Sequence, residues 1–344
     1  MSQHTDVNTY GEFGLIEHLT THVEPQHQST LKGIGDDAAV IANGLDYTVI
    51  STDLLVEGIH FDLMYSPLKH LGYKAVVVNL SDIYAMNVLP THITVSIAIS
   101  SKYSVEALEE LYAGIKTACE QYQIDLVGGD TTSSPKGMII SVTAWGVETD
   151  KERITYRSTA QVGDIICVTG DVGAAYLGLQ LLEREKQLFM SDDTIKPELD
   201  RHKYVLERQL KPEAAKGAYQ YFKKHNLIPT AMIDVSDGLS SDLMHICKES
   251  AVGAYLEEAK IPMHDDTRML ALEFNMDPVS SALNGGEDYE LLFTINESDL
   301  EKIRFMPGVS IIGEIVRPED KVKLHTTGGN IYPLKAQGWN HFEF

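Results

Sequence analysis

What most restricts the fold of this chain is the alternation of β-branched runs with helical-period runs along nearly its whole length. Residues 38–41, 47–52, 93–100 and 138–147 have strand composition. Residues 68–86 carry helical spacing, as do 105–122, where Leu108, Leu111, Ile115 and Ala118 share one face. This pattern predicts a mixed sheet covered by two helices. The polar stretch 148–164, with Lys151, Arg153 and Arg157, reads as a connecting arm. Beyond it the spacing predicts a strand at 165–169, a helix at about 173–186, a helix opened by Pro212, a strand at 231–235 and a helix at 239–249. Strands at 254–257, 289–295 and 310–316 follow, with a short helix near 297–304. A chain of 344 residues has room for about two domains. They are expected at 1–150 and 151–344, both of α/β class with mixed sheets.

Within this pattern, aspartates recur beside glycines and at the ends of apolar runs, where open α/β folds bind ligands. Six places stand out: GIGDD (33–37), STD (51–53), NLSD (79–82), GGDTT (128–132), DVSDG (234–238) and GGED (285–288). Any one of them is also ordinary turn or cap chemistry. Six together imply more, because clustered carboxylates repel one another unless cations neutralise them, and all-oxygen ligand sets suit hard cations such as Mg²⁺. The glycines let backbone N–H groups approach phosphate oxygens closely.

Charge and motif content narrow the function. Acidic side chains outnumber basic ones 50 to 28, for a net charge of −22, which excludes a generic binder of nucleic acid or anionic membrane. Phosphate chemistry stays open if divalent ions lie between protein and ligand. Cys119, Cys167 and Cys247 form neither a zinc spacing nor a disulfide framework. No HExxH is present, and the single Lys-Thr pair, Lys116-Thr117, follows Ile115 where a Walker A loop needs glycine. The start of the chain lacks the basic and apolar regions of a secretion signal, and no run approaches the length of a membrane helix, so a cytoplasmic protein is expected.

The ordered motifs GEF (11–13), GIGDDAAV (33–40), STD followed by His60-Phe61, VNLSDIYAM (78–86), VGGDTT (127–132), YRS (156–158), IDVSDGLSSDL (233–243), GGEDYELLF (285–293) and GWNHF (338–342) span almost the whole sequence. In this order the set resembles the thiamine-monophosphate kinases, of the aminoimidazole ribonucleotide synthetase-like (PurM-like) superfamily of ATP-dependent enzymes. The resemblance implies a two-domain PurM-like fold, with an N-terminal mixed sheet and helices followed by a C-terminal α/β domain. It further implies a homodimer through the N-terminal domains and ATP held between domains. Implied Mg²⁺ ligands are Asp37, Ser51, Thr52, Asp53, Asp82, Asp130, Asp234 and Asp237. Implied ATP contacts are Tyr112, Gly129, Asp130, Arg157 and Ser236, and implied contacts to thiamine monophosphate are His60, Glu287 and Trp339. The chemistry is then metal-assisted transfer with no dedicated catalytic base, since an acceptor phosphate with a second pKa near ~6 is already anionic at neutral pH.

Other members of the superfamily fit less well. A selenophosphate synthetase calls for a reactive cysteine near the N-terminus, whereas the first here is Cys119; the hydrogenase maturation relative ends in cysteine, whereas this sequence ends His341-Phe342-Glu343-Phe344. A non-catalytic metal or nucleotide module would need none of Arg157, Glu287 and Trp339. The long polar segment 183–208 points to an added or rearranged helix, and residues 1–9 are expected to be disordered.

Overall fold

The computed structural model describes residues 10–192, 194 and 196–335. The expected disorder of residues 1–9 and the GWNHF motif with Trp339 both lie outside them.

In chain order the first half contains α1 (Gly11–Thr20), β1 (Thr30–Lys32), β2 (Ala39–Asn43), β3 (Asp46–Val56), α2 (Leu68–Ala85), β4 (Pro90–Ile99), α3 (Val105–Tyr122), β5 (Asp125–Ser133) and β6 (Ile139–Glu148). Its six strands form one sheet in the order β1-β2-β3-β6-β4-β5, antiparallel except for the parallel β4/β5 pair at the edge. The expected mixed sheet and both long helices are present. Pro67 immediately precedes α2, Ser104 caps α3 by accepting from the Ala107 N–H at 3.2 Å, and Gln123 in the left-handed region ends α3. Alternation along β3 places Ser51 and Asp53 on the face covered by α2, and Thr52 and Leu54 on the opposite, open face.

Helix α2 departs from the usual one-sided surface helix. From Leu71 to Ala85 every residue but Asp82 is buried, because α2 contacts β3, β6 and α3 on its own side of the molecule and β8 and α5 on the other. Its crossing with α3 runs through two glycines. A Cβ on Gly72 would lie 2.0 Å from the Leu111 carbonyl oxygen, and one on Gly114 would lie 1.9 Å from that of Lys69. The two backbones touch at a distance that only glycine permits.

The stretch 148–164 contains two single-turn 3₁₀ helices, Lys151–Arg153 and Arg157–Thr159. After it come β7 (Ile165–Thr169), α4 (Ala174–Ser191), α5 (Lys203–Leu210), α6 (Lys216–His225), β8 (Ala231–Asp234), α7 (Leu239–Glu249), β9 (Gly253–Glu257), α8 (Asp265–Glu273), α9 (Pro278–Asn284), β10 (Leu291–Ile295), α10 (Leu300–Ile303), β11 (Val309–Val316), β12 (Val322–His325) and β13 (Ile331–Pro333). The seven strands of this half form a second mixed sheet, β13-β12-β9-β11-β7-β10-β8, with only β12/β9 parallel. Strands β8 and β10 are buried along their whole length, including the polar Asp234 and Thr294.

Three local expectations are corrected. Pro212 opens no helix: the Ala214 N–H donates instead to the Tyr122 hydroxyl at 2.8 Å, and α6 starts only at Lys216. The GGDTT motif is the interior of β5 and not a turn after a strand. Strand β10 begins at Leu291 because Glu287 (φ 66°) and Tyr289 (φ 53°) occupy the left-handed region within a tight turn. The polar segment 183–208 does bring a further helix, α5.

Candidate active site

The acidic motifs of the two halves meet around α2. Asp37, in the turn before β2, Asp82 on α2 and Asp234 at the end of β8 present carboxylate oxygens that all lie within 4.8 Å of one another. Serines tie them in place. Ser51 on β3 donates to Asp82 Oδ2 at 2.6 Å, and Ser81 on α2 donates to Asp234 Oδ2 at 2.6 Å, bridging residues 153 apart in sequence. Asn79, one turn before Asp82 on α2, accepts from the Asp53 backbone N–H at 2.9 Å and fixes β3 against the helix.

Burial and mutual repulsion set the electrostatics. Asp53 is pushed up to about 6 by burial. Asp234 is pushed up to about 8, first by burial and then by the charge of Asp37. Asp82 rises well above the usual carboxylate range through burial and the charges of Asp53, Asp234 and Asp37. Behind this cluster Asp242 accepts from the N–H groups of Asp237 and Gly238 at 3.3 and 3.1 Å, and burial again raises its pKa. An all-oxygen set this crowded fits hard divalent cations, whose charge would remove the repulsion.

Arg157 supplies the positive charge seen among these groups. Its Nε and Nη2 reach the two carboxylate oxygens of Asp37 at 3.1 and 2.6 Å, and its backbone N–H donates to Asp36 Oδ1 at 3.3 Å. Burial opposes its charge, but Asp37 and Asp36 outweigh burial and raise its pKa. The two-pronged end of this implied ATP contact is therefore turned onto a carboxylate of the cluster.

The cluster borders a cavity of about 270 Å³ whose walls include Asp53, Asp82, Asp234, Ser236, Asp237 and His60, with Glu287 and the Phe13 ring beside them. His60 Nδ1 accepts from the Val56 N–H at 3.0 Å. That bond places the ring proton of the neutral form on Nε2, the correct tautomer for donating to an anion.

Several residues singled out from the sequence stand apart from this cavity. Asp130 pairs with Ser96 on β4, which pairs with Ser141 on β6, which pairs with Leu54 on β3. Three strand spacings put it roughly 14 Å from β3, on the open face of the sheet. Gly129 lies beside it, where a Cβ would meet the Val95 carbonyl oxygen at 1.8 Å. The Thr52 hydroxyl points to the same open face, donating to the Val142 carbonyl at 3.1 Å and accepting from Thr143 at 3.1 Å. Tyr112 is exposed on α3 and does not line the cavity. Conversely, Lys74 and Gln209 escaped the sequence reading, and Asn79, Ser81 and Asp242 fell within its motifs without being given a role. The available signal was a handful of polar residues inside an otherwise apolar α2.

Comparison with known proteins supplies the family. Residues 35–147 match the family described as AIR synthase related protein, N-terminal domain. The thiamine-monophosphate kinase of Bacillus subtilis (strain 168) is 34% identical over 96% of this chain and 99% of its own length. That of Aquifex aeolicus (strain VF5) is 33% identical over 96% and 98%. Among solved structures, one described as "AaThiL complexed with AMPPCP and TMP" superposes with a TM-score of 0.83 at 30% identity, covering 99% of this chain and 100% of its own. With identity at this level sustained along the whole sequence, the chain belongs to the thiamine-monophosphate kinase family.

Proposed function

We propose that this protein transfers the γ-phosphoryl group of ATP in line to the phosphate of thiamine monophosphate, releasing ADP and thiamine diphosphate, with several Mg²⁺ ions in attendance. The observation that carries this reading is the convergence of Asp37, Asp82 and Asp234, two of which, Asp82 and Asp234, line a cavity together with His60 and Glu287. The names of the relatives and the AMPPCP and TMP of the solved relative support the choice of substrates. Asp37, Asp53, Asp82, Asp234 and Asp237 would hold the metal, together with Ser51. Mg²⁺ held there supplies Lewis acidity toward the phosphate oxygens and cancels the repulsion between anionic substrates and an acidic site.

The chain's own groups do the rest. His60 donates from Nε2 to a phosphate oxygen, Ser236 contacts ATP, and Arg157 shares its charge between Asp37 and phosphate. Glu287 accepts from the thiamine end of the substrate. Tyr112, Gly129 and Asp130, remote from the cavity within one chain, fit a homodimer in which a second copy covers the open face of the first sheet. The same reading divides the chain into domains near residue 150 and places the enzyme in the cytoplasm; no described helix is long and apolar enough to cross a membrane.

Incubation with Mg-ATP and thiamine monophosphate should yield thiamine diphosphate, and absence of product at every Mg²⁺ concentration overturns the proposal. A companion prediction concerns stability. Mg-ATP at a hundred times its dissociation constant should stabilise the fold by about 2.7 kcal/mol, visible as a raised thermal midpoint. EDTA should abolish the increment. Calorimetry showing Mg-ATP binding that thiamine monophosphate leaves unaffected would instead favour a non-catalytic nucleotide-binding module.

A further inference from the structure

Below the cavity floor the Glu287 side chain is gripped from two sides. Lys74 Nζ meets Glu287 Oε1 at 3.0 Å, and Gln209 Nε2 donates to Glu287 Oε2 at 2.7 Å. The two partners are joined to each other, since Lys74 Nζ also donates to the Gln209 carbonyl oxygen at 3.1 Å. Both are buried, at 5% and 4% exposure, although neither belongs to a residue type that is commonly buried. One sits on α2 and the other on α5, so the grip links the central helix to the second half at the point where Glu287 lines the cavity.

Two details say that this arrangement serves orientation more than stability. The Gln209 amide commits its nitrogen to Glu287 while its Oε1, also buried, finds no hydrogen-bond partner among the described residues, a cost that a merely structural glutamine would avoid. Glu287 itself holds a left-handed backbone conformation, φ 66°, that a glutamate adopts only when its surroundings over-determine it. The surroundings do so: the Glu287 N–H donates to the Ser236 carbonyl at 2.8 Å, Tyr289 N–H to the Val235 carbonyl at 2.8 Å, and Arg208 Nη2 to the Asp288 carbonyl at 3.1 Å. Consecutive residues of α5, Arg208 and Gln209, thus hold the backbone and the side chain of one strained turn.

We infer that Lys74 and Gln209 are positioning residues for thiamine monophosphate, acting through Glu287, and that α5 is the element that sets the thiamine end of the cavity. The inference rests on the kinase reading above. Each Glu287 oxygen accepts one bond from the grip and retains a lone pair for an N–H of the substrate. Its direction is fixed before the substrate arrives, which reduces what binding must order. ATP, held by the acidic cluster, does not depend on this grip.

The test is steady-state kinetics on Gln209→Met, which keeps the volume and removes the donor. The wild type is measured first, so failure of the kinase reading shows as no thiamine diphosphate from wild type and is separate from the outcome for the variant. The expected result is a KM for thiamine monophosphate raised about tenfold, with the KM for ATP and kcat within about twofold. In a Glu287→Gln background the same substitution should add little, because its effect passes through the carboxylate. Lys74→Met should show the same selectivity with a larger rise; if it does not fold, Gln209→Met alone decides. An unchanged KM for thiamine monophosphate in Gln209→Met, equal rises in both KM values, or full additivity with Glu287→Gln would each overturn the inference.

Discussion

Replacing Asp82 by alanine should lower kcat for thiamine diphosphate formation by about a thousandfold or more while leaving the fold intact. The size follows from the loss of one carboxylate from a converging trio, since about 4 kcal/mol of metal-borne stabilisation of the transition state corresponds to three powers of ten in rate. Asp82 sits centrally in the cluster, with Asp53, Asp234 and Asp37 as its charged neighbours. It is the member of the trio carried on α2, fixed by Ser51 from one side and set against Asp234, which Ser81 fixes from the other. The isosteric Asp82→Asn should be equally inactive, yet in metal-free buffer it should melt a few degrees higher than wild type. The substitution replaces a carboxyl group whose ionisation burial and three neighbouring carboxylates all oppose and retains a polar group for Ser51, the familiar opposition of activity and stability at a functional site. Kinetics and thermal melts on the two variants check both halves. Wild-type turnover in either variant, or a lower metal-free midpoint in the asparagine form, would contradict the account of the cluster.

Gly114→Ala should cost about 3 kcal/mol or more, measured by denaturant titration, although it adds a single methyl group and exchanges a poor helix former for the best one. The new carbon would fall 1.9 Å from the Lys69 carbonyl oxygen, which is backbone and cannot rotate away. Helices α2 and α3 must therefore separate by an ångström or more. The reciprocal Gly72→Ala, 2.0 Å from the Leu111 carbonyl, should behave alike. Activity should suffer as well, since α2 moves as a body and Lys74, Asn79, Ser81 and Asp82 ride on it. A shift smaller than about 1 kcal/mol would mean that this helix crossing is looser than its geometry states.

The parts of this fold legible in the sequence were those with strong local periodicity. Helix α7 and strand β7 fall where spacing placed them, and so do α2 and α3 to within a residue. Sequence failed where tertiary context overrode local chemistry. The Gly128-Gly129 pair reads as a turn, but it lies in the middle of an edge strand, where the close approach of Val95 makes glycine obligatory at 129. Pro212 reads as a helix start, but the Tyr122 hydroxyl on α3 ties that segment down, accepting from the Ala214 N–H and donating to Glu213. At the site, acidic residues were visible because carboxylates beside glycines are conspicuous. Their companions were not. Gln209 lies on a short polar helix and contacts Glu287 across 78 positions, and no local signal records such a partnership. Lys74 was hidden for another reason: in sequence it looks like any surface lysine of an amphipathic helix, and only the burial of α2 on all sides shows that it cannot be one.

The encasement of α2 also bears on how the protein is made. Asp82 leaves the ribosome 152 residues ahead of Asp234, a delay of roughly 8–30 s at the usual pace of translation. Through most of that interval the side of α2 that will meet β8 and α5 has nothing to cover it, and a largely apolar helix whose Lys74 and Asp82 await their partners is presented to solvent or to whatever holds nascent chains. Synthesis of this protein should thus lean on chaperones more than its size alone suggests, and a ribosome stalled between residues 150 and 230 would leave a sticky fragment with no enzymatic value.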